Sequence, residues 1–441
     1  MEAGVNSKEI QDQMNSLFSS ILIEQQKINS VKGPSDKNLQ KNLLESFQSD
    51  RGQKFFFDYM SSGRGHGPFT ELIDGSVKYD LNCSMGVNLL GHSHPLFIKA
   101  HLQASTLDSL MCGNLLPYEA PKVLTKDLIN SVEGSRLAHF WFATSGSFAN
   151  DNALKIIWQK TAPKYKIIAF DNAFAGRSVA TQNITHNPDY SQGMPKYLEV
   201  AHIPFFPKDP IEYLEKIWAK DKDSLSAIMI ELIQGEAGFN FATKEYYQSI
   251  CQWGKEKGLY IFIDEVQTFA RTKSLFAFQM FGLEEYVDVV TVGKVLQSAG
   301  TFYTKELSPK PGLIAGTWNG PLVGISLGIN IVRYLREGNF YGEDGRIARL
   351  EQTFLEGLKK IGQGKLSNIS GIGTMISFQV GDGSDETTSK FLKKLFEHGV
   401  ISYKGGKNPT KIRFLLPLSL TETHIKEIFS LIEVTLKELA C

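Results

Sequence analysis

The chain lacks the features that mark several large classes of proteins. Lysine and arginine together number 47, and so do aspartate and glutamate, so the net charge is zero and no nucleic-acid surface is predicted. No apolar run approaches the roughly 20 residues that a membrane-spanning helix needs. Neither GxGxxG nor GxxxxGK[ST] occurs, so neither a dinucleotide fold nor a P-loop is predicted.

Cysteine is scarce, with only Cys83, Cys112, Cys251 and Cys441 in the chain. These residues form neither a CxxC pair nor a zinc-ligand spacing, so no metal site is predicted. They are interpreted as buried thiols of a reducing cytosol. The apolar stretch at 17–23 is short and lacks a basic segment and a small-residue cleavage site, so no signal peptide is predicted. We therefore expect a cytoplasmic protein that binds no membrane.

The length of 441 residues exceeds what one hydrophobic core usually holds, so two or three domains are expected. Residues 1–50 are polar and helix-prone, and they predict an N-terminal helical arm that either lies on a partner subunit or is a frayed extension. We expect a large domain at 99–330. Residues 51–98 and 331–441 are expected to form a small α+β domain from the two ends of the chain.

Between residues 138 and 304, β-branched apolar runs alternate with segments of helical spacing. This alternation predicts an α/β sheet with helices on both faces. The predicted strands are 139–143, 166–170, 227–231, 259–264, 287–292 and 300–303.

A small-residue turn, Thr144-Ser145-Gly146-Ser147, follows the first of these strands and precedes a predicted helix. Backbone N–H groups at the beginning of a helix bind anions, and the helix dipole favours negative charge there. Gly146 would let the backbone approach the anion, and Ser147 could add a hydroxyl. Ordinary helix capping would explain the same residues.

Two ionisable residues follow apolar strands, where they would be costly to bury without a partner. Asp264 ends one strand, and a protonated pyridine nitrogen could be the cation that it needs. Lys294 follows the next strand and Gly293, and its amine could form a Schiff base with an aldehyde cofactor. Each could instead be ordinary, as a capping carboxylate or a loop lysine. In this order, the phosphate turn, the acid and the lysine indicate a pyridoxal-phosphate enzyme.

These motifs resemble those of the class III, subgroup II aminotransferases, which depend on pyridoxal 5'-phosphate (PLP). The resemblance runs from about Gln53 to the C-terminus. It implies the aspartate-aminotransferase fold, PLP-dependent transferase fold type I, whose large domain has a mixed, mostly parallel sheet beside a small α+β domain. The segments that carry it are 91–95, 145–155, 261–267, 293–294 and 316–318.

The resemblance implies how PLP would be bound. Gly146 and Ser147 would hold the phosphate, and Phe174 would stack on the pyridine ring. Asp264 would bond the ring nitrogen, and Gln267 would bond the phenolic oxygen.

The resemblance also implies the catalytic group, the subunit arrangement and the substrate contacts. Lys294 would form the Schiff base, and Thr317 would reach the phosphate in the neighbouring subunit, so a homodimer with shared active sites is implied. Arg177 matches the arginine that binds a distal carboxylate in the ω-aminotransferases. Glu236 and Arg413 match the switch pair of that branch, in which the glutamate masks the arginine until 2-oxoglutarate or glutamate binds.

The sequence departs from the family around the expected substrate pocket. The family usually has glutamate at Phe148, proline at Leu232, and an aromatic residue or histidine at Ala175. The loop at 268–273 is one residue shorter and has lost its glycines. The Asn183-Ile184-Thr185 stretch and the segment around Thr317 are more similar to lysine 6-aminotransferases and 4-aminobutyrate aminotransferases than to acetylornithine enzymes.

The sequence thus predicts a PLP-dependent aminotransferase that works by ping-pong transfer of an amino group, with an ω-amino acid as donor and an oxo acid such as 2-oxoglutarate as acceptor. Lys294 would move the proton, acting as base and then as acid. Two alternatives stay open: another PLP reaction on this fold, such as that of an aminomutase or a decarboxylase, and an inactive PLP-binding dimer. His66, His92 and His94 are interpreted as structural hydrogen-bonding residues.

Overall fold

The computed structural model describes residues 7–108, 116–206, 209–362 and 364–439, and it divides into two compact units. The central unit lies within 107–349. The terminal unit is formed by the described residues before 107 and after 349. The domain limits predicted after residues 50, 98 and 330 stay a prediction, and the compact units divide after residues 106 and 349.

The helices, including several single turns, begin in the N-terminal segment and end near the C-terminus. Their bounds are α1 Lys8–Gln26, α2 Lys37–Arg51, α3 Cys83–Gly86, α4 Pro95–Ala104, α5 Glu119–Ser131, α6 Gly146–Thr161, α7 Thr181–Ile184, α8 Pro210–Asp221, α9 Lys244–Glu256, α10 Ala277–Met280, α11 Leu322–Glu337, α12 Arg346–Ile361, α13 Asp385–Glu397 and α14 Glu422–Glu438.

The strands are distributed over both units. Their bounds are β1 Ser61–His66, β2 Phe69–Leu72, β3 Val77–Asp80, β4 Leu137–Ala143, β5 Lys166–Phe170, β6 Val200–Ile203, β7 Leu225–Ile230, β8 Ile233–Gln234, β9 Asn240–Phe241, β10 Tyr260–Glu265, β11 Val289–Val292, β12 Ala299–Thr304, β13 Leu366–Ile372, β14 Met375–Val380, β15 Val400–Ile401, β16 Tyr403–Gly405 and β17 Lys411–Leu415.

The central unit is built on a sheet with the strand order β4-β12-β11-β10-β7-β5-β6. Neighbouring strands from β11 to β6 are parallel, and β12 runs antiparallel to both β4 and β11. Strands β7 and β11 are buried along their whole length, which explains why they read as continuous apolar runs. The predicted α/β fold with a mixed, mostly parallel sheet is therefore confirmed.

The terminal unit contains two sheets of its own in the described residues. One has the order β1-β2-β3-β15, in which β3 and β15 are parallel, and the other has the order β13-β14-β17-β16. Helix α2 is capped at its beginning by Asp36, whose side chain accepts hydrogen bonds from the N–H groups of Asn38 and Leu39 at 3.0 Å. Gly52 ends it with a φ of 72°, a left-handed conformation that suits glycine.

Structural hydrogen bonds were predicted for His66, His92 and His94, and the structure confirms them for the last two, whereas Nδ1 of His66 is buried and has no hydrogen-bond partner within the described residues. His92 Nε2 lies 2.9 Å from a carboxylate oxygen of Asp80. His94 Nδ1 accepts from the N–H of Leu96 at the beginning of α4. Nowhere in the described residues do three or more His, Cys, Asp or Glu side chains come together as a metal site would require.

The two cysteines that the structure describes, Cys83 and Cys251, are buried thiols that form no disulfide, as predicted. Cys112 and Cys441 lie outside the described residues. Among the helices that the structure describes, none combines the length and the apolar character needed to cross a membrane.

Candidate active site

The carboxyl ends of the parallel strands meet at one edge of the central sheet, which is where open α/β sheets bind ligands. A cavity of about 220 Å³ lies at this edge, within the central unit. Its walls come from the residues that follow β4, β5, β7, β10 and β11. The predicted site residues that line it are Gly146, Ser147, Phe174, Glu236, Asp264, Gln267 and Lys294.

One wall of the cavity is the N-terminus of α6. The side chain of Ser145 caps this helix by accepting a hydrogen bond from the N–H of Phe148 at 3.3 Å. Gly146 has to be small, because a Cβ there would lie 2.6 Å from Cγ1 of Val266. The hydroxyl of Ser147 accepts a hydrogen bond from the N–H of Arg177. This arrangement leaves a helix N-terminus facing the cavity, as an anion site requires.

Asp264 is buried at the end of β10, and its carboxylate is held at both oxygens. Oδ1 accepts from the N–H of Val266 at 2.9 Å, and Oδ2 accepts from the side-chain amide of Asn150 at 2.7 Å. Burial raises the pKa of Asp264, while the two hydrogen bonds and the nearby charge of Lys294 oppose that rise. A cation bound in the cavity would stabilise the carboxylate further.

Lys294 follows β11, and its side chain lines the same cavity as Asp264. Its backbone has a φ of 44°, a left-handed conformation that non-glycine residues rarely adopt. Such conformations carry strain and are concentrated at functional sites. The preceding Gly293 allows the close packing of this turn, because a Cβ there would lie 3.2 Å from Cγ1 of Val266.

Gln267 and Phe174 complete the cavity on the side of the expected cofactor ring. Oε1 of Gln267 is buried and has no hydrogen-bond partner within the described part of the chain. Gly235 makes room for it, since a Cβ there would lie 2.3 Å from this oxygen. A buried amide end without a partner is costly, so a polar ligand atom would fit here.

Sequence reasoning missed two polar residues that line the cavity, Glu231 and Asn150. Glu231 follows β7 and accepts hydrogen bonds from the N–H groups of Phe174 and Gly235. Burial, reinforced by the charge of Asp264, raises the pKa of Glu231 to about 8. Glu231 carries the same sequence signal as Asp264, an acid after an apolar strand, and could have been found by it. Asn150 has no such signal, because it lies in the first turns of a helix.

Two predicted residues of the central unit do not line the cavity. The Arg177 side chain is exposed and its guanidinium stacks 3.8 Å above the ring of Tyr190. That ring also packs edge-on against Phe174, with 6.2 Å between the ring centroids. Thr317 is exposed, as is its neighbour Trp318.

Arg413 belongs to the terminal unit, so its predicted pairing with Glu236 of the central unit stays a prediction. It lies in β17 opposite Ser377 and Tyr403 of the neighbouring strands. The guanidinium is buried and lies 4.5 Å from the ring centroid of Tyr403.

The shortened loop at 268–273 is packed into the central unit. Arg271 is fully buried, and the hydroxyl of Thr268 donates to the carboxylate of Glu265 at 3.0 Å. Glu265 also accepts from the N–H groups of Ala277 and Phe278, both at 2.8 Å. The loss of the family's glycines is therefore compatible with an ordered loop.

Comparison with known proteins identifies the family. The sequence model of the family described as "Aminotransferase class-III" matches residues 49–436, so the chain belongs to the class III aminotransferases. Acetylornithine aminotransferase from Caldanaerobacter subterraneus subsp. tengcongensis is 29% identical over 388 residues, covering 85% of this chain and 94% of the relative. The 5-aminovalerate aminotransferase DavT from Pseudomonas aeruginosa is 27% identical, covering 83% and 91%.

The fold is shared with solved aminotransferase structures. Lysine aminotransferase from M. tuberculosis matches with a TM-score of 0.80, covering 90% of this chain and 99% of that chain at 18% identity. The predicted fold type I and the predicted aminotransferase class are thus both confirmed. The two curated relatives above do not favour lysine or 4-aminobutyrate over acetylornithine, so the donor is a matter for the proposal below.

Proposed function

We propose that this protein is a PLP-dependent ω-aminotransferase, which moves an amino group from an ω-amino acid to an oxo acid in two half-reactions. The observation that carries the proposal is the single cavity that brings together Lys294, Asp264 and the N-terminus of α6. These groups come from three different strand ends of the central sheet. Their types match the amine, the ring-nitrogen partner and the phosphate site that a pyridoxal enzyme needs.

The residues of the cavity fit PLP. The N-terminus of α6, with Gly146 and Ser147, offers backbone donors for a phosphate. The buried Oε1 of Gln267 is an acceptor and needs a hydrogen-bond donor, which a phenolic O–H group would supply. Phe174 offers an aromatic face for the ring. When bound, PLP supplies an electron sink for the carbanion formed at the amine-bearing carbon.

The reaction itself would be carried by two side chains. Asp264, held at both oxygens, would present a fixed negative charge to the ring nitrogen of PLP, which favours the protonated nitrogen. Lys294 would act through its Nζ, taking up the proton of the amine-bearing carbon as a base and giving it back as an acid. The buried surroundings strengthen both interactions, because water screens them little.

Two arginines would select the substrates. The exposed Arg177, steadied by the ring of Tyr190, would bind the distal carboxylate of the donor. Arg413 would bind the carboxylate of 2-oxoglutarate once Glu236 has released it. The donors named for the two curated relatives, acetylornithine and 5-aminovalerate, both carry a carboxylate remote from the reacting amine, which agrees with this role.

Thr317 would complete the phosphate site of a second subunit, so we also propose a homodimer.

An absorption titration tests the proposal. Purified protein is loaded with PLP and mixed in turn with lysine, ornithine, acetylornithine, 5-aminovalerate, 4-aminobutyrate and glutamate. We expect the long-wavelength band of the lysine-bound cofactor to disappear with the true donor and to return with 2-oxoglutarate. A band that no donor converts would indicate a different PLP reaction, such as that of an aminomutase or decarboxylase. The absence of any band with added PLP would contradict the proposal.

Replacing Arg413 is expected to affect one half-reaction more than the other. Arg413→Ala removes a guanidinium that can bind a carboxylate through two hydrogen bonds. The half-reaction with 2-oxoglutarate should therefore lose about 10- to 100-fold in kcat/KM. The half-reaction with the ω-amine should change by less than about threefold, since Glu236 masks this arginine there. Stopped-flow measurement of each half-reaction checks the difference. Arg64→Ala, an exposed arginine of the terminal unit, is the control. An equal loss in both half-reactions would argue against the switch.

A further inference from the structure

Asn150 is a buried amide that connects Asp264 to the rest of the central unit. Its Nδ2 donates to Oδ2 of Asp264 and to the carbonyl oxygen of Ala175, both at 2.7 Å. Its Oδ1 accepts from the hydroxyl of Thr291 at 2.7 Å. The residue is 1% exposed, so water does not compete for these bonds.

The orientation of this amide is determined by its neighbours. A carbonyl oxygen can only accept, and an ionised carboxylate can only accept, so both the Ala175 and the Asp264 contacts require the NH₂ end of Asn150. The Thr291 hydroxyl can donate and therefore suits the oxygen end. A flipped amide would place its oxygen against two acceptors. Asn150 is thus an obligatory donor to Asp264.

Glu231, a half-buried carboxylate that also lines the cavity, is held differently. Glu231 takes its hydrogen bonds from the backbone N–H groups of Phe174 and Gly235. Asp264 has one backbone donor, Val266, and its side-chain partners are the amide of Asn150 and the hydroxyl of Thr291. Asn150 is itself held by β11, because its Oδ1 accepts the hydroxyl hydrogen bond of Thr291, which is paired with Asp264 in the sheet register. The acid expected to face the ring nitrogen is therefore the one with a separately positioned donor.

We propose that Asn150 is a positioning residue, which holds the carboxylate of Asp264 in the one orientation that serves the pyridine nitrogen of PLP. The inference rests on the proposed function. The role of Asn150 is additional to that function, since Asn150 contacts Asp264 and not the reacting atoms. Without the amide, Oδ2 of Asp264 loses its donor and the carboxylate can rotate about its Cβ–Cγ bond.

The test compares two ligands that differ at the ring nitrogen. The apoprotein is titrated with PLP and with its 1-deaza analogue, in which a C–H group replaces the ring nitrogen. A hydrogen bond to a charged group contributes about 10-fold or more to affinity, so the unaltered protein should prefer PLP by that factor. In Asn150→Leu, a change of similar size without a donor, the preference should fall to within about threefold, again on the scale of one such bond.

A matched pair of threonines distinguishes an effect on the orientation of Asn150 from an effect on the packing of α6. Thr291 and Thr301 are both fully buried, and both donate a hydroxyl hydrogen bond to α6, at 2.7 Å to Asn150 and at 2.8 Å to the carbonyl of Ala149. Thr291→Val should lower the preference for PLP part of the way. Thr301→Val should leave it unchanged. This pair keeps the inference testable even where Asn150→Leu does not fold.

Each outcome decides one question. An unchanged preference in Asn150→Leu and Thr291→Val, with both ligands weakened alike, would mean that Asn150 only supports the fold. An equal fall in Thr301→Val would also overturn the inference. An unaltered protein that binds PLP and the deaza analogue equally would overturn it as well. An unaltered protein that binds neither would instead contradict the proposed function.

Discussion

Lys294→Ala is expected to lower the turnover of amino transfer by on the order of 10³-fold or more, the upper range for loss of a positioned acid–base group. The variant loses both the amine that would bind the cofactor covalently and the group that would move the proton. No other lysine lines the cavity in the described residues, so no nearby amine can replace it. Turnover and the absorption band of the bound cofactor are the two measurements.

Two further variants make this result specific. Lys294→Arg keeps the positive charge but should be about as inactive, because a guanidinium stays protonated and does not act as a base. Lys222→Ala removes an exposed lysine beyond the end of α8 and should be fully active. A small amine added to Lys294→Ala should restore part of the turnover. If Lys294→Ala kept more than a tenth of the activity of the unaltered protein, Lys294 would not be the catalytic lysine.

Asp264→Asn is expected to lower turnover by about 10²- to 10³-fold, the scale for losing one fixed electrostatic group in an active site. The side chain keeps its size but loses the negative charge that would hold the ring nitrogen protonated. Steady-state turnover and the affinity for PLP should both fall. Thermal unfolding should stay cooperative but shift to a lower temperature, because the new NH₂ group must face either the N–H of Val266 or the amide of Asn150, which are both donors.

Asp288→Asn is the contrasting variant, because this carboxylate is also buried but has structural partners. It bonds Lys255 at 2.9 Å and lies 3.4 Å from Arg136, just before β11. Because Lys255 and Arg136 are partly exposed, losing the charged hydrogen bond should lower the free energy of unfolding by about 1.5–3 kcal/mol, while turnover per folded molecule is kept. If the two variants lost stability and activity in the same proportion, Asp264 would be structural too.

The sequence was most informative where one strand end carries one unusual residue. Asp264 and Lys294 could be predicted because a charged side chain at the end of an apolar strand is costly to bury unless it has a partner. Asn150 could not, because its partners Thr291 and Asp264 lie 141 and 114 positions away. A polar residue early in a helix has no distinguishing pattern until the sheet brings those partners to it.

The bounds of the strands were also predicted well where they depend on the local sequence, and less well where they depend on residues distant in the chain. Strand β5 was predicted with its observed bounds, 166–170, whereas β11 begins at Val289 rather than at Val287. The reason is Asp288, whose carboxylate accepts the N–H of Ile261 at 2.8 Å in place of a regular strand contact. Strands β13, β15 and β16 were missed, because each depends on pairing within the terminal unit rather than on a long apolar run.

The make-up of the terminal unit has a consequence for synthesis on the ribosome. Lys78 donates to the carbonyl of Phe396, a residue 318 positions later, and β3 pairs with β15 nearby. At about 5–20 residues per second, the nascent chain would wait on the order of 15–60 s between the two strands. During that time the edge of β3 is open to wrong partners, whereas the central unit is contiguous and can close first. Slow translation of the last hundred residues would therefore expose the chain to aggregation before its N-terminal strands are covered.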